Sequence, residues 1–140
     1  MTRVILWLTT LLLALGCWAQ ENKKPVIKQV PPSPTDASSG QQMFKAYCAS
    51  CHGLQGLGNG PAVAALKKTP SNLTLLAKNN GGKFPALKVA NSIQGDNIAA
   101  HGSLDMPVWG DVFRSMSRSE AETRMRINNL TKYIEGLQVK

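Results

Sequence analysis

Apolar residues crowd the start of the chain. From Val4 to Leu15 the run is interrupted only by Thr9 and Thr10, a single positive charge precedes it at Arg3, and the small residues Gly16 and Ala19 follow. This is the pattern of a secretory signal peptide, assigned to residues 1–19. The run is too short to span a bilayer, and no later stretch repeats it. The rest of the chain is therefore expected to be soluble and to work outside the cytoplasm, in the periplasm or its equivalent.

Two ways of leaving the signal stay open. The stretch "ALGC" resembles the lipobox at which bacterial lipoproteins are lipidated on cysteine, here Cys17, although Ala14 stands where leucine is usual. "CWA" offers an ordinary cut after Ala19. In the first case the protein is tethered to a membrane; in the second Cys17 is lost. Residues 20–38 then form a proline-rich linker with Pro25, Pro31, Pro32 and Pro34 and no sustained apolar period.

Helical periodicity begins near Ser38 and Ser39, either of which can cap a helix through "GQQMFKAYC", with Phe44 and Tyr47 on neighbouring turns. Glycines at 53, 56, 58 and 60 before Pro61 rule out regular structure and predict a tightly folded loop. Helical stretches are predicted for "PAVAALKK", for "NLTLLAKNN" ending at Gly81 and Gly82, and for "PALKVANSIQG". The last element has the strongest pattern: Ser119 and Glu122 make a capping box, and Ile127, Leu130, Ile134 and Leu137 repeat at three and four. No alternating run predicts a strand. The expected fold is all-α, small and loop-rich, over residues 39–140.

Composition adds limits. At 140 residues and 43% hydrophobic content there is room for one modest core, and only 17% charged residues argue against wholesale disorder. The net charge of +8 comes from scattered lysines and arginines without a basic stripe interleaved with aromatics, so no nucleic-acid partner is expected. A monomer is expected.

The chemistry concentrates in "CASCH", Cys48 to His52, which holds two of the three cysteines and one of the two histidines. A redox dithiol needs no histidine after its second cysteine, and a structural zinc site needs a fourth ligand that only His101 offers. Covalent haem attachment remains, because C-x-x-C-H is its signature: two thiols add to the porphyrin vinyl groups, and the adjoining imidazole turns under the iron.

With that motif, the stretches "CASCHGLQGLGNGP" and "HGSLDMPVWG" resemble those of bacterial class I c-type cytochromes, over roughly residues 39–140. The resemblance implies the small cytochrome c fold around one covalent haem c. It also implies thioethers at Cys48 and Cys51, His52 as proximal iron ligand, Met106 as distal ligand, and the Pro61 carbonyl as acceptor for the second ring nitrogen of His52. Gly40 and Phe44 would pack against Leu130, Tyr133 and Ile134. Met106 is favoured over the other methionines because it sits in an irregular, proline-containing segment. His101 is the rival distal ligand. Such a protein is expected to be no enzyme but an extracytoplasmic electron carrier serving redox partner proteins. The alternatives are a tethered haem subunit of a larger redox enzyme, or a ligand sensor or peroxidase with a labile Met106.

Overall fold

A computed structural model describes residues 30–95 and 106–139. Helix α1 (Gly40–Met43) runs directly into a π turn (Phe44–Cys48) and then into α2 (Ala49–His52). The 3-10 turns Pro61–Ala65, Leu73–Leu75 and Lys78–Asn80 follow. Helices α3 (Ala86–Gln94), α4 (Trp109–Met116) and α5 (Glu120–Gly136) complete the order. Among the described residues there is no strand, and no helix is long and apolar enough to cross a membrane. The fold is all-α, as the periodicity predicts.

Both predicted caps form. Ser39 Oγ accepts the Gln42 N–H at 3.2 Å, which satisfies one of the donors left open at the start of α1. Ser119 Oγ does the same for Glu122 N–H, and the Glu122 carboxylate accepts the Arg118 N–H at 2.9 Å. The π turn is marked by Ala49 N–H reaching back five residues to the Phe44 carbonyl. Its extra residue puts Ala49, rather than Cys48, one turn below Phe44, and lets Tyr47, Cys48 and Ala49 all enter the core.

The core lies where α1 and the π turn cross α5. Phe44, Phe113, Met43 and Leu130 are completely buried, each contributing on the order of 2 kcal/mol by leaving water. The crossing is close because position 40 has no side chain: a Cβ there would overlap the Asn129 carbonyl and lie 2.8 Å from Tyr133 Cβ. Phe44 and Tyr133 meet with ring centroids 5.2 Å apart. The contact expected between the first and last helices is therefore present.

Residues 1–29, including the signal segment, Cys17 and most of the linker, lie outside the described residues. The end of the linker is bonded to the helices. Tyr47 hydroxyl donates to the Ser33 carbonyl at 2.6 Å, and Asn129 Nδ2 donates to the Ala37 carbonyl at 3.1 Å. Arg126, buried on α5, donates to the Thr35 carbonyl at 3.1 Å and pairs with Glu122 at 3.0 Å. A buried guanidinium needs such a partner to offset its desolvation.

Candidate functional site

The attachment sequence occupies the end of the first helical run. Cys48 closes the π turn and is buried, while Cys51 and His52 lie half-buried in α2. Gly53 stops the helix: at φ 78° and ψ 157° it occupies a region that side chains exclude. The chain then folds back onto the helix end, with Gly58 N–H donating to the His52 carbonyl at 2.8 Å and Gly60 N–H to the Cys51 carbonyl at 3.0 Å. Gly60 lies so close that a Cβ would overlap the Ser50 carbonyl. The glycine-rich loop predicted from sequence is thus a wrap around the last turn of α2.

His52 Nδ1 lies 3.1 Å from the Ser71 carbonyl oxygen. For this role the resemblance implied the Pro61 carbonyl; Pro61 opens the 3-10 turn Pro61–Ala65, and the carbonyl set at Nδ1 belongs to Ser71, ten residues on. A carbonyl there selects the tautomer with the proton on Nδ1 and leaves Nε2 as the metal-binding nitrogen. Cys48 and Cys51 are not joined in a disulfide. Burial, with a smaller push from Cys51, raises the Cys48 thiol to about 12, so it stays protonated at neutral pH.

Met106 is half-buried. No more than about 11 Å of chain separates it from Trp109, three residues on. Trp109 stacks against Tyr47 at 5.1 Å and Phe113 at 5.8 Å, and Tyr47 immediately precedes Cys48. Gly110 permits close contact between α4 and the end of α3, since a Cβ there would overlap the Gln94 carbonyl. The segment bearing Met106 therefore returns to the body beside the attachment helix. His101, the rival ligand, lies outside the described residues. Helix α4 escaped the sequence reading; it is eight residues long, has glycine in its first turn and lacks a side-chain cap.

Two thiols at the required spacing, an adjoining imidazole held by a carbonyl, and a loop stripped of side chains where it packs on the helix form a donor set that fits covalent haem. These features define a bacterial class I c-type cytochrome, and the chain carries haem c with its iron. Residues 35–122, more than half of the chain, match the family described as cytochrome c oxidase, cbb3-type, subunit III, and the chain belongs to that family.

Among curated proteins, the chain is similar to cytochrome c-554(547) of Halothiobacillus neapolitanus, 42% identical over 48 residues, covering 33% of this chain and 53% of that protein. It is also similar to a cytochrome c-553-like protein of Synechocystis sp., 30% identical over 77 residues, covering 54% of this chain and 73% of the relative. The chain thus spans about half the length of the first and nearly three quarters of the second. No solved structure matches it.

Proposed function

We propose that the chain is a single-haem extracytoplasmic electron carrier working by outer-sphere transfer, with Cys48 and Cys51 as thioether residues, His52 as proximal ligand and Met106 as distal ligand. The observation that carries this is the Ser71 carbonyl at His52 Nδ1, which presents the ring to a metal through Nε2. Haem supplies the one-electron Fe(II)/Fe(III) couple. The protein's part is to keep its ligands in place in both oxidation states. His52 is held by its carbonyl partner and by the loop over its own turn. Met106 stands three residues before Trp109, which packs on Tyr47, and would contribute a soft thioether that favours the reduced state. With His52 and Met106 both holding the iron, a substrate would find no open coordination site.

Charge supports weak docking to an acidic redox partner. Residues 37–95 contain six lysines, Lys45, Lys67, Lys68, Lys78, Lys83 and Lys88, and no Asp or Glu, and all six lysines are exposed. Exposed positive charge speeds encounter with an acidic partner without demanding tight binding. If the leader with Arg3 is removed and two propionates ionise, the net charge still stands at about +5.

The family's description favours a second reading, a fixed haem subunit of a larger redox enzyme. Recovery of the native protein alone, rather than in a stable complex, separates the two. The ligand assignment is tested by the visible spectrum and by Met106→Ala. Wild type should show the weak sulfur-to-iron charge-transfer band when oxidised and should not bind carbon monoxide when reduced. Met106→Ala should keep its covalent haem, lose that band, bind carbon monoxide and show a lower potential. An unchanged band in the variant refutes Met106.

A further inference from the structure

The last residues of the chain lie beyond the stretch that matches the family, yet they contact the segment that supplies the His52 acceptor. The Gln138 side chain accepts the Ala77 N–H at 2.8 Å and donates to the Leu73 carbonyl at 2.7 Å and the Ile134 carbonyl at 2.9 Å. Leu73 and Ala77 are four residues apart, so their carbonyl and N–H are the pair that would bond each other in an α-helix. The Gln138 carboxamide stands in that bond. Val139 N–H extends the effect by donating to the Thr74 carbonyl at 3.1 Å. On the opposite side, Leu73 N–H donates to the Gly56 carbonyl at 2.7 Å. Ser71, two residues before Leu73, is therefore fixed between the glycine loop and the C-terminal tail.

We infer that Gln138 is a positioning residue for the proximal histidine: its carboxamide keeps Leu73–Ala77 from closing into an α-helix and so sets the Ser71 carbonyl at His52 Nδ1. The amide reaches the segment at both ends, its oxygen taking the Ala77 N–H and its nitrogen donating to the Leu73 carbonyl, while a second donation to the Ile134 carbonyl ties it to α5. Removing it leaves the Leu73 carbonyl and Ala77 N–H to find each other, and the backbone leading to Ser71 shifts with them. The His52 ring then loses the acceptor that raises its basicity toward the metal. The inference rests on His52 being the iron ligand.

The test uses the haem-loaded full chain as wild type, Gln138→Leu, Gln138→Glu and Asn129→Ala. Asn129→Ala removes a side-chain amide bond to a backbone carbonyl elsewhere on α5 and serves as a control for general loosening. The readouts are hydrogen exchange of the His52 ring N–H in the reduced protein, followed by NMR, and the reduction potential. In Gln138→Leu the ring N–H should exchange about tenfold faster, the effect of losing one hydrogen bond's net contribution, and the potential should rise. Gln138→Glu keeps an acceptor for Ala77 but sets a carboxylate against the Leu73 carbonyl, and should exchange at least as fast. Asn129→Ala should stay at wild-type values in both readouts. Wild-type exchange in a spectrally normal Gln138→Leu protein, or equal acceleration in Asn129→Ala, overturns the inference alone. A His52→Ala protein that keeps the wild-type visible spectrum overturns the ligand assignment and this inference with it.

Discussion

Replacing Gly60 by alanine tests how closely the glycine loop wraps α2. The backbone there has φ −65° and ψ 160°, which any residue adopts, so conformational strain plays no part. The obstacle is contact: the new methyl would overlap the Ser50 carbonyl oxygen and sit 2.6 Å from its carbon and 2.7 Å from the Ala49 carbonyl oxygen. These are backbone atoms of α2 and cannot rotate away. The loop must lift by roughly 1 Å to restore ordinary contact distances. That lengthens the bonds from Gly60 to Cys51 and from Gly58 to His52, each worth about 1 kcal/mol net. With overpacking of about 1–3 kcal/mol, and the smaller gain from stiffening the unfolded chain set against it, the expected loss is about 2–4 kcal/mol. For a domain near 100 residues this lowers the thermal midpoint by roughly 10–20 °C. The assay is thermal unfolding of the oxidised, haem-loaded protein by circular dichroism, with Gly136→Ala alongside. Position 136 is helical and has nothing within 4 Å of an added Cβ, so that variant should match or slightly exceed wild type. A Gly60→Ala midpoint within about 2 °C of wild type, or an equal fall in Gly136→Ala, would refute the steric argument.

Gly40→Ala should cost about 2–3 kcal/mol in denaturant unfolding, because the added Cβ forces α1 off the Asn129 carbonyl, and the N-terminal position in the helix returns little propensity. Glu122 is held below its ordinary 4.5, first by the Arg118 N–H it accepts and then by Arg126. A lowered carboxylate stabilises the fold above its ordinary pKa, and that contribution fades as the pH falls through the lowered value. Glu122→Gln should therefore be less stable than wild type at neutral pH, with the difference narrowing below pH 4.5 in unfolding measured against pH. In the haem-free chain the Cys48 thiol, pushed up to about 12 chiefly by burial, should alkylate more slowly under native conditions than in denaturant. Peptide mass spectrometry after timed iodoacetamide labelling reads this directly, and equal rates would contradict the burial.

The elements that were legible in the sequence are those whose stability is local. Helix α5 announced itself by Ser119, Glu122 and the stripe of Ile127, Leu130 and Ile134, and α3 by a helical stretch between Pro85 and Gly95. The attachment sequence was legible for a different reason: its chemistry needs particular side chains at a fixed spacing. Two predicted helices turned out otherwise because the tertiary structure claims their backbone. Residues 61–68 make only one 3-10 turn, and Leu66 is extended, so that the chain can swing back to carry Ser71 to His52. Residues 72–80 make two 3-10 turns because Gln138 and Val139 occupy the carbonyls and N–H that an α-helix would use.

The parts of the site that sequence could not reveal are backbone atoms. A carbonyl has no residue signature: the resemblance implied that of Pro61 for this role, and the one at 3.1 Å from His52 Nδ1 belongs to Ser71. The same holds for the π turn, whose single extra residue leaves composition unchanged while moving Cys48 off the line below Phe44. These features converge on one short helix end. The π turn sets the azimuth of the first thiol, the glycine loop fixes the carbonyls of Cys51 and His52, and the segment from Ser71 to Ala77 fixes the ring. An electron carrier gains most from ligands that move least between oxidation states, because each displacement on transfer adds to the barrier. Holding the helix end through hydrogen bonds to the backbone of two separate segments, the glycine loop and Ser71, is a direct way to limit such movement, and it gives a reason for a loop that is short, glycine-rich and tied to the helix it covers.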